Sequence, residues 1–93
     1  MMSTYLMIGS YKTDSLKEIN VERTDKAKEL IRKNDGSLKE GYAMLGEKDL
    51  ILVVDFPNDS AAVKTSVELS KYLGISFSTS PALSFEEFDR LVE

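Results

Sequence analysis

Asp55 is the one acid set within the chain's most apolar stretch, Leu50-Ile51-Leu52-Val53-Val54-Asp55-Phe56, which Pro57 closes. Two-residue alternation puts Asp55 on the same side as Ile51 and Val53. Tyr5, Tyr11 and Tyr42 are expected around it on one sheet face. A carboxylate among phenol hydroxyls can orient a small polar or aromatic ligand while the rings exclude water. It can also exchange a proton as one half of an acid–base pair. The plainer reading puts Asp55 at a solvated strand rim, bonded to a tyrosine or to backbone near Pro57, with the tyrosines packing an interface. Of these, Asp55, Tyr5, Tyr11 and Tyr42 form the expected ligand-binding set, and no residue is assigned a catalytic role.

What the chain lacks narrows the chemistry further. With no His and no Cys among its 93 residues, it has neither imidazole nor thiolate. Ser-His-Asp and Cys-His catalysis are therefore impossible within one chain, and no metal or cofactor is expected. The formal net charge is −4, and the twelve Lys and Arg are interleaved with acids, as in Lys26-Ala27-Lys28-Glu29. Such a balance repels phosphate backbones and anionic membranes, so neither nucleic acid nor membrane is an expected partner. No apolar span of 18 residues is present, and Met1 to Gly9 reads as a strand rather than a signal peptide. A cytoplasmic location is the expectation. The five glycines show no phosphate-loop spacing, and Asn58-Asp59-Ser60 reads as a helix cap rather than a glycosylation acceptor. Glu86, Glu87 and Asp89 suit the first turn of a helix, where acids complement the macrodipole.

The elements that must hold these residues follow from periodicity. Thr4 to Tyr11 alternates Tyr5, Met7, Gly9 and Tyr11 with Leu6, Ile8 and Ser10, a strand apolar on both sides. A polar connector from Lys12 to Asn20 leads to a helix over Val21 to Asn34, with Ala27, Leu30, Ile31 and the stem of Arg23 on one stripe and Gly36 as a left-handed cap. Ser37 to Leu45 is a second strand. The Gly46-Glu47-Lys48 turn joins it to the third as a hairpin, with Lys48 and Asp49 as solvated turn charges and Asp49 also placed to bond backbone groups there. Asn58 or Asp59 caps a second helix whose apolar side holds Ala62, Val63, Val67, Leu69, Ser70 and Leu73, and Gly74 ends it. Ile75 to Leu83 is the last strand, with Pro81 marking an edge. Ser84-Phe85-Glu86-Glu87 is a capping box for a short helix that docks through Phe88, Leu91 and Val92.

This order, β-α-β-β-α-β, is an α+β, ferredoxin-like arrangement in a single domain over residues 1–93. Both main helices cover one face of a four-stranded antiparallel sheet, and the first and third strands are central. With Leu6, Ile8, Leu50, Leu52 and Val54 turned to the helices, Tyr5, Met7, Tyr11, Ile51 and Val53 are left on the open face. Such a patch is unusual on a monomer. Pairing two such faces would bury roughly 800 Å² per partner, the size of a specific interface. A homodimer or higher oligomer is expected.

The same residues resemble a known family. Gly46-Glu47-Lys48-Asp49 in the hairpin, Pro57-Asn58-Asp59-Ser60-Ala61-Ala62 opening the second helix, Gly74 before the last strand and Ala82 to Glu87 at the end are similar to the GYD-domain family. Lys48 stands where the family's namesake tripeptide has Tyr. The resemblance implies the dimeric α/β-barrel superfamily and an assembly of dimers, without an activity to carry over. The residues leave two functions open. One is a non-catalytic module that binds a small molecule between its sheets or mediates assembly. The other is a cofactor-independent enzyme, monooxygenase- or isomerase-like, pairing Asp55 with Tyr11 or Tyr42.

Overall fold

The computed structural model describes residues 2–12 and 21–93. Strand β1 (Ser3–Tyr11) is followed by helix α1 (Val21–Lys33), strands β2 (Ser37–Ala43) and β3 (Leu50–Phe56), helix α2 (Asp59–Leu73), strand β4 (Ile75–Ala82) and helix α3 (Phe85–Val92). The four strands form one antiparallel sheet in the order β2-β3-β1-β4, so β1 and β3 are central, as expected for the ferredoxin-like fold. Apart from Lys12, the polar connector lies outside the described residues.

Local chemistry sets the element ends. The Asn58 side chain accepts from the Ala61 N–H at 2.8 Å and starts α2, while Gly74 ends it at φ 68°. Ser84 caps α3 by accepting from the Glu87 N–H at 3.1 Å. The end of α1 departs from expectation. Asp35, not Gly36, takes the left-handed conformation at φ 64°, with the Gly36 N–H bonded to the Ile31 carbonyl at 2.9 Å and the Asp35 N–H to that of Arg32 at 3.0 Å. Gly36 is required for another reason. A Cβ there would stand 2.6 Å from Cε1 of Phe56 and 2.9 Å from Cγ2 of Ile31.

Both main helices lie on one sheet face, and the core sits between. Tyr5, Met7, Val54, Phe56 and Ile75 from the sheet are buried with Leu30 and Ile31 of α1 and Ala62, Leu69 and Leu73 of α2. This reverses the expected sidedness of β1. The antiparallel pairing sets Met7 opposite Leu52 and Tyr5 opposite Val54. Residues that face each other across an antiparallel pair share a side, so Tyr5, Met7 and Tyr11 turn to the helices with the β3 leucines. Leu6 and Ile8 join Ile51 and Val53 on the open face instead.

Two helix faces also differ from expectation. On α2, Thr65 is buried and Val63 and Val67 are exposed, because the helix contacts the sheet along a narrower stripe than its apolar residues span. On α3 no residue is buried, and Phe85, Phe88, Leu91 and Val92 are all exposed. Among the described residues, none covers the side expected to dock.

Candidate functional site

The four expected site residues are distributed over two sides of the sheet. Asp55 keeps its expected place on the open face with Ile51 and Val53. It lies between Thr4 of β1 and Ser37 of β2 in the ladder. Thr4 Oγ1 donates to its Oδ1 at 2.7 Å, and Lys39 Nζ stands 3.6 Å from its Oδ2. Lys39 reaches it from an irregularity in β2, where the register jumps from Leu38 opposite Val54 to Glu40 opposite Val53.

Tyr42 sits opposite Ile51 and is exposed. Its hydroxyl donates to the Glu40 carboxylate, and this bond, with the acid's charge and partial burial, raises its pKa above the usual phenol value. Tyr5 is in the core instead. It packs edge-on against Phe56 with ring centroids 5.7 Å apart, and its hydroxyl donates to the Asp59 carboxylate at the start of α2. That hydrogen bond, then burial, then the acid's charge raise its pKa. Tyr11 is on the helix side as well, with the Arg23 guanidinium 5.6 Å from its ring centre.

Tyr11 lines a cleft of about 920 Å³ between α1 and the sheet, and Tyr42, across from Ile51 on the open side of β2, borders it only at the sheet edge. Its apolar surface is supplied by Leu38, Leu50, Leu52, Ile75 and Phe77. The cleft remains because small residues face it: Ala27 on α1 and Gly41 on β2 give it little side chain, and the Phe77 ring packs closely on Gly9. Neither the periodicity of the strands nor their composition pointed to this space. Its one signal in the sequence is the placement of small residues at helix-facing positions.

Asp49 bonds backbone groups beside the hairpin, and those groups belong to β1. Its Oδ2 accepts from the Tyr11 N–H at 2.8 Å and its own N–H donates to the Gly9 carbonyl at 2.9 Å, so it extends the ladder between β3 and β1. Among the described residues no group of three or more His, Cys, Asp or Glu side chains could hold a metal ion. No helix among them is long and apolar enough to cross a membrane.

The fold has a clear structural neighbour. The leucine response regulatory protein of Mycobacterium tuberculosis superposes with a TM-score of 0.58 at 10% identity, over 88% of this chain and 51% of that one. The chain thus spans about half the length of that regulator, and the likeness concerns the fold. No curated protein matches the sequence. The family profile described as the GYD domain matches residues 5–92, nearly the whole chain, which therefore belongs to the GYD-domain family.

Proposed function

We propose that the chain is a self-associating, non-catalytic module that forms a homodimer through its open sheet face and holds a small ligand beside Asp55. The observation that carries this reading is the apolar surface that the described residues of one chain leave without cover. Leu6, Ile8, Ile51 and Val53 form an apolar centre on a face that neither main helix touches. Nearby in sequence, α3 exposes Phe85, Phe88, Leu91 and Val92. Burying both in a second copy would remove from water surface that costs about 25 cal/mol per Å² to leave exposed.

The rim of that face is polar. Asp55, Thr4 and Tyr42 stand on the same side as the apolar centre, with Ser76, Ser78 and Ser80 of β4 at the opposite edge. A ligand between two sheets would meet this carboxylate and these hydroxyls. The regulatory role in the structural neighbour's name is consistent with a ligand-responsive assembly, although that neighbour is twice as long. An acid–base enzyme has less support, because Asp55 and Tyr11 lie on opposite faces of the sheet and the Tyr42 hydroxyl, on the Asp55 side, is bonded to Glu40 instead.

Sedimentation equilibrium at micromolar concentration tests the proposal. The wild type should sediment at twice 10.4 kDa or a multiple of it. Val53→Asp should yield a monomer with an unchanged circular dichroism spectrum, since it places a charge in the interface and not in the core. A wild type that sediments as a 10.4 kDa monomer at that concentration would overturn the reading.

A further inference from the structure

We propose that the cleft between α1 and the sheet is a second binding site, separate from the open face, for a small amphipathic carboxylate such as an aryl-alkanoic acid. The cleft measures about 920 Å³, at the upper end of the range of roughly 300 to 1,000 Å³ for small-molecule sites. Leu50, Leu52 and Phe77 line it and are only partly buried, so the space between helix and sheet retains apolar surface that the described residues do not fill. A hydrocarbon or aryl tail matches that surface.

The rim specifies the head group. In a chain of net charge −4, this cleft is bordered by Arg23, Lys28, Arg32 and Lys39 against the acid Asp25, while the neighbouring Glu40 turns to Tyr42 on the open face. Lys39 is engaged by Asp55 on the other face, and Arg23 stands over Tyr11. Lys28 and Arg32 lie one helical turn apart on α1, and among the described residues neither forms an ion pair. Two such cations beside an apolar floor complement a single negative charge with an apolar body. The rim acid Asp25 disfavours a polyanion such as a nucleoside triphosphate, whose extra charges would meet it. An uncharged lipid would leave the cations without a counter-charge.

The probe is 4-phenylbutanoate, with 4-phenylbutan-1-ol as its neutral counterpart, titrated into the ¹⁵N-labelled full chain and followed by amide shifts. The carboxylate should shift Leu50, Leu52 and Phe77 in a saturable way and bind about tenfold more tightly than the alcohol. The double variant Lys28→Glu, Arg32→Glu should lose about tenfold in affinity while keeping its fold, because both side chains are exposed. Gly41→Leu should block binding by occupying the floor. The Cβ it adds lies 3.1 Å from Cδ2 of Leu52, a flexible terminus that can give way. Val53→Asp should bind as the wild type does, which separates this site from the proposed dimer face. Equal binding of acid and alcohol, shifts confined to Leu6 and Val53, or full affinity in the charge-reversed variant would each overturn the assignment.

Discussion

Met7 lies directly across from Leu52, and this single pairing decides which side of β1 belongs to the core. Met7 is fully buried, whereas its neighbours Leu6 and Ile8 are partly exposed on the face away from the helices. Met7→Lys should therefore unfold the protein, since it leaves an ammonium unpaired in the core at a cost of several kcal/mol. Leu6→Lys should leave the monomer folded, because the longer stem can carry its charge to the open face. Urea denaturation followed by circular dichroism separates the two. Comparable midpoints for both variants would contradict the sidedness.

Close packing of Phe77 on Gly9 gives a second test. A Cβ at Gly9 would lie 2.5 Å from Cε1 and 2.7 Å from Cδ1 of that ring, and a planar ring gives way less easily than an aliphatic terminus. Gly9→Ala should cost about 1 to 3 kcal/mol by overpacking. Adding Phe77→Leu should recover part of that loss, and the four proteins form a double-mutant cycle read by urea unfolding. Additive effects would show that the ring and the glycine do not share one strain.

Element order, strand centrality and most caps follow directly from this sequence, because each rests on local chemistry. Asn58 and Ser84 offer side-chain acceptors where helices start, and Gly74 supplies a left-handed stop. The sidedness of β1 does not follow from local chemistry. Tyr5 and Met7 alternate with Leu6 and Ile8, so both sides of the strand are apolar and alternation has no sign until β3 supplies a register. The same inversion sends Tyr5 into the core and Tyr11 under α1, and it removes both from the side of Asp55. Asp55 itself is placed correctly because β3 alternates next to an acid that only one face can solvate. The exposure of α3 is a different matter: its apolar side is evident in the sequence, but helical periodicity does not say whether the rest of the domain packs on that side, and the described residues leave it exposed.

Tyr5 and Asp59 should make stability sensitive to alkali. The bond from the phenol to the carboxylate requires a protonated hydroxyl, and it raises the Tyr5 pKa above the ordinary 10.0. A raised folded-state value for an acid means that the contribution is complete below the unfolded pKa and disappears as pH rises through the folded one. Thermal melts from pH 8 to pH 12 should show a drop beyond pH 10 that is smaller in Tyr5→Phe, which should already be less stable at pH 8. Since Tyr42 is also raised, the Tyr5→Phe, Tyr42→Phe double variant should lose more of the alkaline limb than either single change. An alkaline limb identical in wild type and double variant would show that neither phenol is linked to folding.

At acid pH the sensitive group is Glu68, which joins the two main helices. The side-chain amide of Asn34, just beyond α1, donates to Glu68 Oε1 at 2.6 Å and to Thr65 Oγ1 at 2.9 Å, and the Thr65 hydroxyl in turn donates to the Ala61 carbonyl at 2.8 Å. The Asn34 bond holds the Glu68 carboxyl below the ordinary value of 4.5; burial opposes it, and the nearby charges of Lys33 and Lys64 reinforce it. Lys33 Nζ stands 3.7 Å from Glu68 Oε2. A depressed folded-state pKa gives stability that is present above the unfolded value and lost as pH falls through the folded one. Melting temperature should therefore fall below pH 4.5 in the wild type, and less steeply in Glu68→Gln. The glutamine keeps an acceptor for Asn34, so at pH 7 the variant should lose only the charged part of the interaction. Asn34→Leu, which removes the donor from a site where Thr65 is fully buried, should lower stability at both pH values and flatten the acid limb as well. Parallel acid limbs in wild type and Glu68→Gln would mean that the carboxylate is not what the amide holds.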